Sequence, residues 1–205
     1  MKNSRILDYK KELEAASKSM ILIHHPDTLI KMIVRMIVQK VGVSHAGILL
    51  YHKEKDTYIL TVSRGAPGVK IPAGFARMDS DNALIRFYRE GYYKAVSKGG
   101  VLECEKLAKE LKNKKRKPAI LNLLKKVAYQ MEIFEAVACV PSFFRDSLLG
   151  VLLLGKKKNN SRLMQDELDF FSALASDVAM AIRNAQLFEE LGQELEKRQK
   201  LFIHT

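Results

Sequence analysis

The run Leu148-Leu149-Gly150-Val151-Leu152-Leu153-Leu154 is apolar at odd and even positions alike. It is far shorter than the ~20 residues that span a bilayer. Read as a strand, it points successive side chains to opposite faces. Such a strand must sit inside a sheet that is covered on both sides. A second strand, Ala136–Phe143, precedes it across the short turn Arg145-Asp146-Ser147. The fold of this chain is therefore constrained from the start: a sheet, a central hairpin, and a separate layer over each face.

Amphipathic helices at both ends can supply one layer. Ile6, Tyr9, Leu13, Ala16 and Met20 recur at alternating steps of three and four, with charge on the other faces. This helix either lies on its own domain or forms half of an intersubunit seam. A second helix starts at Pro26, followed by Asp27 at the positive end of the helix dipole. Its stripe is Leu29, Ile30, Ile33, Val34, Ile37, Val38 and Val41, and Gly42 ends it. A long helix begins near Gln165, with Leu168, Phe171, Leu174, Ala175, Val178, Ala181, Ile182 and Ala185 on one broad face. Beyond Asn184 charge dominates, yet Val178, Ala181, Ala185, Phe188, Gly192, Leu195, Gln199 and Phe202 keep a 4-3 spacing. So sparse a stripe suits a helix that leaves the domain and pairs with a partner.

Between these helices the pattern turns to period two. Ser44–His52 and Thr57–Arg64 read as a hairpin, Val69–Ile71 as a short third strand, and Tyr92–Val96 as another. Ser80 can cap a short helix over Asp81–Arg89. Gly99-Gly100 opens a helical stretch over Val101–Lys117, Pro118 breaks it, and a further helix runs to about Met131. His45 and His52 stand seven residues apart on one strand, hence on opposite faces, and do not form a metal pair.

Composition narrows the chemistry. Two cysteines, Cys104 and Cys139, exclude a disulfide scaffold and any four-cysteine zinc site. With a charged N-terminus, they point to a reducing, cytoplasmic setting. The net charge is +12, and residues 98–126 hold ten lysines and arginines against three acids. That region could grip an anion or nucleic acid. It has neither interleaved aromatics nor a glycine-rich phosphate loop, so a solvated linker between helices stands beside that reading.

Two segments carry a family resemblance. One is Val137-Ala138-Cys139-Val140-Pro141 followed by Leu149-Gly150-Val151-Leu152-Leu153-Leu154-Gly155. The other is Asp166-Glu167-Leu168-Asp169-Phe170-Phe171, continuing through Ala181-Ile182-Arg183-Asn184-Ala185. In this order, over about residues 25–188, the chain resembles a GAF domain, a small-molecule-sensing module of signalling proteins. The resemblance implies an α+β fold: a central antiparallel sheet, terminal helices on one face, a helical and loop roof over the other, and a long C-terminal helix. It divides the chain into an amphipathic helix (1–24), a sensor domain (25–188) and a signalling helix (189–205) leading to an output domain such as a histidine kinase or diguanylate cyclase. The segment itself is then not an enzyme. His204 lacks the Glu-Leu-Arg context of a phosphoacceptor.

By the same resemblance, a ligand pocket lies under the roof. Its expected lining is Phe75, Leu84, Phe87, Val96, Tyr129, Phe134, Ala138 and Val140. The expected homodimer seam uses Ile6, Leu13, Met20, Val178, Ala185, Phe188 and Leu195. The cofactor is unknown. Bilin is disfavoured because Cys104 is followed by Glu105 where bilin-binding relatives have histidine. A cyclic nucleotide is disfavoured because Asn159-Asn160 and Asp166-Glu167 lack the lysine and phenylalanine of the relevant pattern. Two cysteines are too few for the sulfoxide-reducing relatives. Nucleic acid is a rival partner rather than the expected one, and a ligand-free dimerisation scaffold is the third reading.

Overall fold

The computed structural model describes residues 8–22, 26–65, 74, 76–97 and 99–203. Two helices, α1 (Tyr9–Leu22) and α2 (Pro26–Met36), precede the hairpin β1 (His45–His52) and β2 (Thr57–Gly65). Then come β3 (Arg77–Asp79), α3 (Ala83–Arg89), β4 (Leu102–Glu103), α4 (Cys104–Leu111) and α5 (Pro118–Ile133). The hairpin β5 (Ala138–Phe144) and β6 (Ser147–Leu154) follows, and α6 (Gln165–Ile203) closes the fold. The strands form one antiparallel sheet in the order β3-β2-β1-β6-β5-β4. As the doubly apolar pattern requires, β6 lies inside it, between β1 and β5.

Alternation along the strands, reset by register shifts at Thr61 and Leu149, divides the core. Ala46, Ile48, Ala138, Val140, Leu152 and Leu154 meet α2 and the first half of α6. Leu49, Tyr58, Leu60, Cys139, Leu148, Val151 and Leu153 meet α3, α4 and α5. Each fully buried aliphatic side chain contributes about 1.5–3 kcal/mol. The expected α+β sheet with terminal helices on one face and a roof on the other is the observed fold.

Local details differ from the expectations. After Met36 the second helix widens into one π-helical turn, Ile37–Val41, and Gly42 stops it at φ +79°, a conformation that favours glycine. Residues 69–71 fall outside the described residues; the strand paired with β2 is Arg77–Asp79. Asn82, rather than Ser80, caps α3: its side chain accepts the Leu84 amide at 2.9 Å, while Ser80 donates to the Asp56 carbonyl. The expected strand at Tyr92–Val96 is a 3-10 turn closed by Lys94→Gly91 and Val96→Tyr93 bonds. Its aromatic pair mimics strand spacing, but the Tyr93 ring packs on Tyr88 and Phe143 instead of entering the ladder. The expected helix over Val101–Lys117 begins later, at Cys104, because Leu102 and Glu103 pair with Cys139 and Ala138 and cover the outer edge of β5.

Candidate functional site

The roof face is where a ligand would be expected, and it is filled by aromatic and aliphatic side chains. Phe87 and Tyr88 rise from α3 and are fully buried, as is Tyr58 from β2. The Tyr88 hydroxyl donates to the Cys139 carbonyl at 3.0 Å and the Tyr58 hydroxyl to the Leu148 carbonyl at 2.9 Å. Burial pushes Tyr58 up to about 12 and raises Tyr88 as well, so both phenols stay protonated. These bonds tie α3 and β2 to the two strands of the central hairpin.

Leu84, Phe87 and Phe134 come together in this core, with Val96 half-buried against it. Tyr129 stands apart on the outer surface of α5, 62% exposed. Ala138 and Val140 lie on the opposite face of the sheet, among the terminal helices. Phe75 lies outside the described residues. The parity of β5 separates them: the residue of this stretch that faces the roof is Cys139. Tyr58, Tyr88, Leu102 and Met131, not expected at this face, also belong to it.

The expected seam residues part in the same way. Ile6 lies outside the described residues, and Leu13 and Met20 belong to α1. Val178 is buried in the chain's own core and Ala185 is half-buried. Phe188 and Leu195 are exposed at 76% and 54%, and Leu187 and Leu191 beside them are exposed too.

The start of α6 is fixed by a buried carboxylate. Glu167 accepts from the Lys157 ammonium at 2.6 Å, the Met164 amide at 2.7 Å and the Tyr9 hydroxyl at 2.8 Å. This cluster joins α1 to α6, and the Tyr9 ring packs on Phe170 with centroids 5.3 Å apart. Burial works to raise the carboxyl, but the Lys157, Met164 and Tyr9 bonds hold it below its ordinary value.

Neither cysteine has the environment of a nucleophile. Cys139 is fully buried, and Cys104 donates its thiol to the Ala136 carbonyl at 3.0 Å. Burial pushes the Cys139 thiol up; Cys104 is exposed, and the partial desolvation of its sulfur also raises it, the reverse of thiolate activation. His45 is a satisfied core histidine: Nε2 meets the Phe134 carbonyl at 2.8 Å and Nδ1 the Ser44 hydroxyl at 3.0 Å. Gly155 passes so close to that ring that a Cβ there would collide with it. Among the described residues no cluster of three metal-binding side chains occurs, and no helix is long and apolar enough to cross a membrane. In the basic region, Lys106 pairs with Glu103, and Arg116 with Glu110 and the Ala95 carbonyl. Lys112, Lys114, Lys115, Lys117, Lys125 and Lys126 are exposed.

The GAF domain family profile matches residues 25–182, more than three-quarters of the chain. The chain belongs to the GAF domain family. No curated protein matches it in sequence. Solved structures with the same fold include the GAF domain of the Acinetobacter phosphoenolpyruvate-protein phosphotransferase, at 15% identity and TM-score 0.59, covering 91% of this chain and 97% of that one. The phycocyanobilin-bound GAF domain of a cyanobacterial phytochrome aligns at 13% identity and TM-score 0.61, covering 88% and 97%. The free methionine-R-sulfoxide reductase of Neisseria meningitidis, in complex with its substrate, aligns at 11% identity and TM-score 0.55, covering 87% and 90%. At such identities the likeness is one of fold. GAF domains are sensory modules of signalling proteins, and this chain is one by family.

Proposed function

We propose that this GAF domain is the sensory part of a dimeric signalling protein and relays its state through α6 to an output domain such as a histidine kinase or diguanylate cyclase. The observation that carries the reading is the change of character along α6. The helix is continuous over 39 residues. Its first half is built into the core through Leu168, Phe171, Leu174 and Val178. Its second half holds Leu187, Phe188, Leu191 and Leu195 in solvent. An exposed helical tail of that length is marginal in water unless its apolar stripe is covered. The spacing of three and four residues from Phe188 through Leu191 to Leu195 suits a helix–helix seam, and the occupant in this reading is the same helix of a second copy of this chain.

A ligand or partner that favours one arrangement of the roof over another would bias the sheet and, through Val140, Leu152 and Leu154, the helix packed on its far side. That requires different affinities for the two arrangements. The test is light scattering of the purified chain over a concentration range. A dimer is expected, and the charge pair Phe188→Asp with Leu195→Asp should give a folded monomer. A wild-type chain that stayed monomeric at high concentration would end the dimer reading.

A further inference from the structure

An open cleft of about 660 Å³ lies at the tips of the two hairpins, against α6. Small-molecule sites span roughly 300–1,000 Å³. Four cations line it against one carboxylate, Asp146, and each cation comes from a different part of the chain: Lys53 after β1, Arg89 at the end of α3, Arg145 in the β5–β6 turn and Arg183 on α6. Their acid partners hold them loosely. Arg89 stands 3.8 Å from Asp56, and Lys53 and Arg183 share a single carboxylate, Glu190, each at 3.8 Å. The nearby Arg86–Glu90 pair closes to 2.7 Å.

Arg145 has no carboxylate partner among the described residues. Its guanidinium lies 5.6 Å from the centroid of the Phe144 ring, which forms part of the cleft wall. Its φ is +52°, a left-handed conformation that glycine or asparagine adopts more readily. A two-residue hairpin turn ordinarily selects those residues.

We propose that this cleft binds a small multivalent anion bearing phosphates or carboxylates, which bridges Arg145 of the hairpin turn to Arg183 of α6. Planar guanidinium groups favour such ligands because each can donate two parallel hydrogen bonds. The anion replaces the loose Glu190 contacts of Lys53 and Arg183 with closer ones. It thereby clamps α6 to the sheet where the helix leaves the domain. The clamp rests on the sensory reading above; the binding site itself stands without it.

The test titrates the full chain with inorganic pyrophosphate and, in parallel, citrate, at ionic strength held constant with sodium chloride, by calorimetry and melting temperature. At least one anion is expected to saturate with one site per chain and to raise the melting temperature. Arg145→Gly and Arg183→Gln should each weaken that binding tenfold or more, while the double change Lys114→Gln and Lys115→Gln leaves it unaltered. Arg145→Gly should at the same time keep or raise the melting temperature of the free protein, because glycine accepts the positive φ; lost binding is then not lost folding. Saturation by neither anion overturns the site. So does binding indifferent to both arginine changes, or abolished by the lysine pair. Amide hydrogen exchange over residues 183–190 should slow on saturation; unchanged exchange there overturns the clamp. A monomeric chain in the scattering experiment would leave the cleft result standing, so the two readings fail separately.

Discussion

Ser142 shows how a single side chain can sit at odds with the core around it. It is fully buried, and its hydroxyl finds no hydrogen-bond partner among the described residues. The surroundings are apolar: a cavity of about 10 Å³ lies there, lined also by Ile33, Val34, Leu152 and Val178. An unsatisfied buried hydroxyl costs about 1–3 kcal/mol. Ser142→Ala is therefore expected to leave stability unchanged or raise it by about 1 kcal/mol in urea denaturation; a loss of that size would mean that the hydroxyl has a partner. Glu167 is the opposite case, a buried charge with every bond made. Its folded carboxyl titrates below the ordinary 4.5. The stability it confers is thus present above that value and is lost as pH falls through the depressed folded one. Urea midpoints measured from pH 7 to pH 3 should decline in the acid range, and Glu167→Gln should flatten that decline. Glu167→Ala, which removes three hydrogen bonds at a buried position and leaves the half-buried Lys157 without its partner, should cost about 1–3 kcal/mol at neutral pH.

Elements were legible in the sequence where one physical requirement dominated. The central place of β6 followed from apolar residues at both parities, and the family from two segments in order. The stop of the second helix followed from Gly42. Short elements were not legible, because tertiary pairing decides them. Leu102 and Glu103 become a strand only since β5 offers an edge, and Tyr92-Tyr93 leaves strand geometry only since Tyr88 and Phe143 offer rings to pack on. Membership of the roof core was half legible: apolarity found Leu84 and Phe87, but only the register of β5 tells Cys139 from Ala138 and Val140. The long helix carries its own element-scale expectation. Residues 191–200 are exposed throughout. Removing residues 191–203 should therefore leave the melting temperature at low protein concentration unchanged. It should also abolish the rise of melting temperature with concentration that a dimer shows. A truncated chain that melted markedly lower when dilute would mean that the tail folds back on its own domain.

At the scale of the whole molecule, the sheet separates two tasks. One face is packed by α2 and α6, the other by the roof, and both share the strands β5 and β6. Charge follows the same division, because the lysine excess gathers on the roof. Lys114, Lys115 and Lys117 crowd the N-terminus of α5, where the helix dipole is already positive. No acid occupies the first turn, and Lys117 at the N-cap position provides no capping bond. At low salt these charges repel one another and the helix end; at 0.1 M the screening length falls to about 10 Å. The melting temperature should accordingly rise between 10 and 150 mM sodium chloride. Lys117→Asp replaces a cation with an anion and supplies the missing cap, which contributes about 1 kcal/mol. That variant should melt higher than the wild type at 10 mM salt, and the gap should narrow as salt is added. A variant that melted lower at 10 mM would show that Lys117 makes a contact worth more than the repulsion it causes, and that the basic roof is held together rather than strained by its lysines.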